Sequence, residues 1–171
     1  MKLTVQQLVD KLIEEGLATH DSIIGCTTEE VEQLEKKYQG GLPQSFKEFL
    51  SLMGRRRGRF FAECDFAYPF ESGREVAQHL FNESGKELTD SVMIFLERYG
   101  CAVVFFDTKD GIDPPVYVFQ EGRELKFARP TFLDWLNLAV EDAVRDYKEL
   151  LEADRLVESE KSSRAGSVQD V

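Results

Sequence analysis

Histidine and cysteine are scarce in this chain, which has two histidines and three cysteines among its 171 residues. Cys26, Cys64 and Cys101 are odd in number and widely spaced, so they predict neither a disulfide framework nor the paired Cys-x-x-Cys pattern of a zinc site. Free thiols are typical of reducing compartments. We therefore expect reduced cysteines in a cytoplasmic protein, with no bound metal and no cofactor.

Sequence signatures of catalysis are also missing. His20 lies in a polar linker and His79 lies beside the apolar stripe of a helix, and neither has a serine or cysteine at a spacing that indicates an activated nucleophile. The glycine-rich motifs that hold phosphates, GxxxxGKS/T and GxGxxG, do not occur in the sequence. We predict no catalytic residues and no enzymatic activity, while a triad formed by residues distant in the chain stays open.

Long hydrophobic runs are absent as well. The longest, Val92–Leu96 and Ala102–Phe106, are far too short to cross a bilayer. The N-terminal apolar pattern includes acidic residues and has no small-residue cleavage site, so we expect no signal peptide. The formal net charge of -11 disfavours nucleic acid, whose phosphates are bound by Lys and Arg. The predicted partner is a basic protein, and neither a membrane nor a nucleic acid.

An acidic segment follows the apolar run Ala102–Phe106. Asp107, Asp110 and Asp113 stand at its first, fourth and seventh positions. A calcium-binding EF-hand loop needs ligands at its first, third and fifth positions and a glutamate at its twelfth. The spacing therefore favours a turn with solvated carboxylates over a calcium site.

Capping residues and apolar stripes predict four helices before residue 90. Thr27 and Glu30 have the spacing of a capping box, and so do Ser72 and Glu75. Pro43 suits the first position of the third helix. The faces expected to be buried are Val5, Leu8, Val9, Leu12 and Ile13, then Val31, Leu34 and Tyr38, then Phe46, Phe49, Leu50 and Met53, and finally Val76, Ala77, Leu80 and Phe81.

From residue 91 the pattern changes to short apolar runs, which predict four strands over Val92–Glu97, Cys101–Asp107, Pro115–Gln120 and Glu124–Ala128. The turns between them are so short that neighbouring strands must be antiparallel. Thr131 and Asp134 then begin a long C-terminal helix with Phe132, Leu136, Ala139, Val140, Ala143, Tyr147 and Leu150 on its apolar side.

The expected fold class is therefore α+β: a mostly antiparallel sheet flanked by helices, with a helical N-terminal part and a long C-terminal helix. We expect one domain over residues 1–153. Residues 154–171 lose their apolar periodicity and gain serine, glycine and charge, so we expect a mobile tail there.

The order of several motifs adds a more specific hypothesis. Gly25–Glu35 reads GCTTEEVEQLE, Leu42–Leu50 reads LPQSFKEFL, Asp107–Phe119 reads DTKDGIDPPVYVF, and Phe132–Leu136 reads FLDWL. In this order and spacing they resemble the SUKH superfamily, of the SMI and KNR type, over roughly Gly25–Leu138. The resemblance implies an α+β binding module without catalytic residues. Many such modules are bacterial immunity proteins that neutralise a toxin domain, often a nuclease, and others are intracellular regulators.

The candidate partner-binding residues are acidic, apart from one tryptophan. We select Asp107, Asp110 and Asp113 near the turns of the sheet and Glu141 and Asp142 on the C-terminal helix. A solvated helix face also explains the helix acids, and a docking surface for a cationic partner is the functional alternative. Trp135 is a candidate rim anchor, with packing against the sheet as its alternative.

The basic run Arg55–Arg59 has two interpretations, an exposed loop that offsets nearby carboxylates or a contact for a small anion or an acidic peptide. The leading functional hypothesis is an immunity protein that binds a cognate, basic toxin domain of nuclease type. The alternative is a regulatory scaffold of the same fold that binds a cellular protein or peptide. A third hypothesis, an enzyme or small-ligand role for the aromatic segment Phe60–Phe70, has less support.

Overall fold

The computed structural model describes residues 1–38 and 40–166, which form five α-helices and six strands. This arrangement confirms the α+β class. The helices are α1 (Val5–Glu14), α2 (Thr28–Lys36), α3 (Gln44–Met53), α4 (Ser72–Glu83) and α5 (Phe132–Gly166). The strands are β1 (Ile23–Ile24), β2 (Arg56–Arg57), β3 (Val92–Arg98), β4 (Ala102–Asp107), β5 (Val116–Gln120) and β6 (Lys126–Arg129).

The starts of the first two helices follow their local sequence. A capping box is formed at Thr27, whose side chain accepts a hydrogen bond from the backbone N–H of Glu30, while the Glu30 carboxylate accepts from the N–H of Thr27 at 2.9 Å. The same arrangement joins Thr4 and Gln7 at the start of α1. Each box satisfies two N–H groups that the helix itself leaves unbonded, so the sequence alone determines where these helices begin.

The capping box expected at Ser72 and Glu75 is wrong. The N-cap of α4 is Glu71, and it makes no side-chain capping hydrogen bond. Ser72 instead donates its hydroxyl to the carboxylate of Asp65, which ties the start of α4 to the preceding loop. Pro43 is also one residue away from its expected place, since it is the N-cap of α3. At Ser72 a side chain of the preceding loop, which the spacing of cap residues does not describe, replaces the expected capping contact.

The main sheet is antiparallel, with the strand order β3-β4-β5-β6, as the short turns predict. Its strands are apolar on both sides because both faces are covered. One face packs with α3 and α5 through Met93, Phe95, Val104, Phe106 and Val116. The other packs with α4 through Val92, Ile94, Val103, Phe105 and Phe119. Burial of both faces explains why the strand sequences are continuous apolar runs without a polar alternation.

Aromatic rings fill the larger core. Phe46 of α3 is fully buried, and its ring centroid lies 4.9 Å from that of Phe132 and 5.3 Å from that of Phe106, both in edge-on geometry. Phe95 of β3 joins the same group, 5.2 Å from Phe132. These contacts connect α3, the sheet and the first turn of α5, and edge-on pairs of this kind add stability beyond the area that they bury.

The N-terminal helix is attached to α5 by polar contacts as well as by packing. Leu3 and Asn137 exchange two hydrogen bonds of 2.9 Å, in which the amide side chain both donates to and accepts from the backbone of Leu3. At the other end of α1, Lys148 and Glu15 form an ion pair of 2.7 Å. Residues 1–24 therefore belong to the same core as the sheet.

The C-terminal helix is longer than expected. The sequence predicts loss of regular structure from Asp154, whereas α5 continues to Gly166. Loss of periodicity there reflects the absence of a buried face, since the segment keeps the Leu, Glu, Ala, Lys and Arg residues that favour helices. Residues 167–171 of the expected tail lie outside the described residues. The division of the chain at residue 153 stays a prediction.

Gly25, at the start of the α2–α3 segment, allows a close backbone approach. A Cβ atom built on Gly25 would lie 1.8 Å from the carbonyl oxygen of Ser51, so α3 can reach its position only if residue 25 has no side chain. We expect Gly25→Ala to lower the free energy of unfolding by at least about 3 kcal/mol, the upper part of the range for overpacking, as measured by urea denaturation.

Gly85→Ala is the matched control for this substitution. Gly85 has a φ of +67° and nothing within 4 Å of its added Cβ, so only backbone strain of about 1 kcal/mol is expected. Equal costs for the two variants would contradict the argument from close packing.

Candidate functional site

The acidic turn between β4 and β5 is the first of the predicted sites. Asp107 caps a short 3₁₀ turn, where its side chain accepts a hydrogen bond of 3.0 Å from the backbone N–H of Lys109. Asp110 and Asp113 are exposed. Although the Asp113 residue is exposed, partial desolvation of its carboxyl group raises its pKa; Lys2 lowers this pKa, and the nearby Asp134 raises it. Within residues 1–38 and 40–166, no group of three metal-ligating side chains is placed to hold a metal ion.

The other predicted acids lie on two sides of α5. Asp142 is half-buried and accepts a hydrogen bond of 2.7 Å from Arg145, which also donates to Asp146 at 3.2 Å. Glu141 is exposed, and none of the ion pairs among the described residues includes it. Consecutive residues on a helix point about 100° apart. Glu141 and Asp142 therefore point in different directions from α5, and their role in partner binding, with that of the three acids of the turn, stays a prediction.

Trp135 is largely a core residue. It is 9% exposed, and its indole stacks on Phe61 with a centroid distance of 5.9 Å and meets the edge of Phe95 at 4.9 Å. Trp135 thus packs partly against the sheet, through Phe95 of β3, which is the alternative to an exposed rim anchor. Its remaining surface lines a groove of about 550 Å³ between α5 and the loop that follows β2. A role in partner binding stays a prediction, limited to the part of the side chain that faces this groove.

The face of α5 beyond this groove was not among the predicted sites. Leu150, Leu156 and Val157 are 56%, 61% and 50% exposed, which is high for large aliphatic side chains. Leu150 also lines the groove, so apolar surface continues from the groove along the helix. The sequence places Leu150 on the apolar side of the predicted C-terminal helix and Val157 in the expected tail, so it gives no sign that both side chains are exposed on one helix.

Acidic side chains surround these exposed aliphatic residues. Glu149, Glu152, Asp154 and Glu158 are all exposed, and no ion pair involves them in the part of the chain that the structure describes. The projecting part of α5 thus carries exposed aliphatic side chains among carboxylates that form no ion pair in the described chain. Such a surface suits a protein partner that offers both apolar and basic groups.

The basic run is only partly the exposed turn that one interpretation predicts. Arg56 and Arg57 form strand β2, which pairs with β1, and Arg57 is only 6% exposed. The Arg57 guanidinium lies 4.9 Å above the ring of Phe66, and burial lowers its pKa to about 10. Arg55 does offset a carboxylate, since it forms an ion pair with Glu30. Sequence reasoning missed the burial of Arg57 because a local basic run gives no sign of the aromatic ring that covers it.

The two histidines are both exposed. His79 lies 3.3 Å from Glu83, one helical turn away on α4, and His20 lies in a 3₁₀ turn after α1. None of the helices in the described part of the chain combines the length and the hydrophobicity that a bilayer-spanning helix requires.

Comparison with known families identifies the fold. The family model described as SMI1 / KNR4 family (SUKH-1) matches residues 25–138, more than half of the chain. The chain belongs to the SMI1/KNR4 family. The match confirms the resemblance seen in the sequence and extends from α2 through β6 into the first turns of α5. None of the curated proteins compared with the chain matches it.

Membership in the SMI1/KNR4 family supports a binding role. The family includes immunity proteins and regulators, and it is generally one of non-enzymatic binding modules with protein partners. The family match does not include α1 or the projecting part of α5. The acidic, partly apolar extension is therefore a feature of this chain beyond its family region.

The ion pair between Glu30 and Arg55 is expected to make stability depend on pH. Hydrogen bonds from Arg55 and from the Thr27 backbone lower the pKa of Glu30. A lowered folded-state pKa gives stability that is present above the unfolded pKa of about 4.3 and is lost as the pH falls through the folded value. We expect Glu30→Gln to be less stable than the wild type near pH 7, with a difference that shrinks below about pH 4.

Urea denaturation at several pH values measures this difference. Glu32→Gln is the control, because Glu32 is exposed on the same helix and none of the ion pairs in the described residues includes it. A difference between Glu30→Gln and wild type that does not change with pH would contradict the assignment.

Proposed function

We propose that this protein is an immunity protein: a cytoplasmic inhibitor that binds a cognate toxin domain, of nuclease type, from a bacterial polymorphic or contact-dependent toxin system. It would neutralise the toxin by covering its active site, without any chemistry of its own. Family membership supports a binding module, since the family includes immunity proteins.

The observation that carries the proposal is the projecting face of α5, where exposed carboxylates border uncovered aliphatic side chains. A nuclease binds phosphates, so the surface around its active site is cationic. An anionic inhibitor is attracted to that surface over a long range, and it competes with the nucleic acid for the same positive charge.

The two kinds of side chain on α5 contribute differently to such a complex. The carboxylates of Glu149, Glu152 and Glu158 would mainly speed association, because exposed charges act at a distance and are screened by salt. Leu150 and Leu156 would mainly slow dissociation, because burial of apolar surface contributes roughly 25 cal/mol per Å² before the costs of association. The acids Asp107, Asp110, Asp113, Glu141 and Asp142, together with Trp135, are the further contacts that we propose.

We expect the triple variant Glu149→Gln, Glu152→Gln, Glu158→Gln to associate about tenfold more slowly with the toxin domain encoded beside this gene at low salt, because electrostatic attraction is reduced. The dissociation rate should change little. Surface plasmon resonance at two salt concentrations measures both rates. The difference between variant and wild type should shrink at the higher salt concentration.

The matched control is Glu32→Gln, Glu83→Gln, Glu87→Gln, which changes the net charge equally at exposed positions away from α5. If the association rate falls equally in both triple variants, association depends only on the net charge, and α5 is not the contact surface. If co-expression of the wild type leaves the toxin fully active, the immunity proposal fails, and the regulatory-scaffold alternative takes its place.

A further inference from the structure

A concavity of about 640 Å³ lies between the chain that follows α1 and the segment around β2. Four arginines line it, namely Arg55, Arg56, Arg57 and Arg59, and no aspartate or glutamate is among its described lining residues. The local charge is thus opposite in sign to the net charge of -11 of the whole chain. The acidic side chains of α5 attract a basic partner, whereas an arginine-lined cavity attracts an acidic one. The partner proposed for α5 therefore does not account for this cavity.

The backbone that carries these arginines is fixed by hydrogen bonds to the facing segment. Arg55 donates its N–H to the Ile24 carbonyl at 2.9 Å, and Arg59 donates to the Leu17 carbonyl at 2.8 Å. Gly58 lies between them with a φ of +64°, and a Cβ there would be 2.5 Å from the Leu17 carbonyl oxygen. A ligand would therefore order only the ends of the arginine side chains, which keeps the entropic cost of binding small.

Two of the four guanidinium groups are available for a ligand. Arg55 is engaged by Glu30. Arg56 and Arg59 are exposed, and neither takes part in an ion pair within the described residues. The Arg59 guanidinium lies 5.6 Å from the ring centroid of Tyr147, which restricts the directions in which it can point.

Arg57 adds a buried positive charge behind these two groups. Its Nη2 donates to the carbonyl of Phe61 at 3.4 Å, and its Nε has no hydrogen-bond partner among the described residues. Burial lowers the Arg57 pKa to about 10, which still leaves the side chain charged at neutral pH. The nearby Asp65 and Glu63 partly offset its charge without forming an ion pair with it in the described chain. A buried donor without a partner is uncommon and calls for a reason.

We propose that this cavity binds an acidic peptide segment of a partner protein, with carboxylate side chains held by Arg56 and Arg59. The planar guanidinium group matches a carboxylate with two parallel hydrogen bonds. Leu17, Ala18 and Ala62 give the cavity apolar walls that suit the short side chains between the acids. This site would bind a partner opposite in charge to the proposed toxin. The peptide proposal can therefore be tested, and rejected, without any result on the immunity function.

A peptide fits these observations better than a free phosphate. Proteins commonly hold phosphate with unbonded backbone N–H groups at helix starts or in tight turns. Here the N–H groups of Arg55, Gly58 and Arg59 already bond to carbonyl oxygens. The cavity is also far larger than a single phosphate ion. Phosphate is negatively charged, as a carboxylate is, but it would leave most of the cavity empty.

The test is an NMR titration of the full-length protein with a short, blocked peptide of alternating alanine and glutamate. We expect chemical-shift changes confined to residues 16–24 and 55–67 and to the arginine side-chain N–H signals. Arg56→Gln combined with Arg59→Gln should weaken binding at least tenfold, and Arg56→Lys with Arg59→Lys should fall between that variant and the wild type. The matched peptide of alanine and glutamine should not bind.

Arg123→Gln combined with Arg155→Gln is the control, because it removes the same charge from exposed positions outside the cavity. Equal weakening in this control would show diffuse attraction and overturn the proposal. It is also overturned if millimolar peptide causes no shifts, or if inorganic phosphate gives the same shifts with the same affinity. A wild-type dimer that becomes monomeric in Arg56→Gln, Arg59→Gln would show that a second copy fills the cavity, which again overturns it.

Discussion

The ring of Phe46 holds the structure together, because it is the point where three parts of the fold meet. Its centroid lies within 6.0 Å of the rings of Phe95 and Phe106 in the sheet and of Phe132 at the start of α5. Close packing of rigid rings leaves few alternative arrangements, so the positions of α3, the sheet and α5 are set together. The direction in which α5 leaves the core follows from this contact.

Two charged surfaces depend on that arrangement. The core anchors α5 through Phe132, Leu136, Val140 and Val144, and from Leu150 onward the apolar and acidic side chains of the helix are exposed. The arginines near β2 are placed by the packing of α3, which ends at Met53 directly before them. A chain of net charge -11 thereby carries a cationic cavity as well as an anionic helix, and Arg59, whose guanidinium lies over Tyr147 of α5, borders both.

The region shared with the SMI1/KNR4 family contains most of the core, and two helical segments are added to it. Residues 25–138 contain the sheet, α3 and most of the aromatic core. The additions are α1 and the length of α5 beyond residue 138, and they are joined to each other by the Lys148–Glu15 ion pair. Leu3 and Asn137 join the N-terminal segment to the family region just before its boundary. A common core that supports variable surface elements is the usual way in which one fold serves different partners.

Local chemistry in the sequence was sufficient to predict most of the fold. Thr27 with Glu30, the antiparallel strands and the buried stripe containing Phe46 were all predicted correctly, because helix caps, short turns and apolar periodicity act over a few residues. Local patterns failed at Ser72, whose hydroxyl bonds to Asp65, and at Arg57, which is covered by Phe66. In both cases a residue from another part of the chain changes the outcome.

The candidate site was less predictable than the fold for the same reason. The sequence by itself determined the fold class, the family, the acidic character of α5 and the basic run near residue 57. Only the tertiary structure decided that Trp135 packs inside, that α5 continues beyond the core with Leu156 uncovered, and that four arginines line one cavity. Secondary structure depends on neighbours in the chain, whereas a binding surface depends on which distant segments the folded core brings together or leaves exposed.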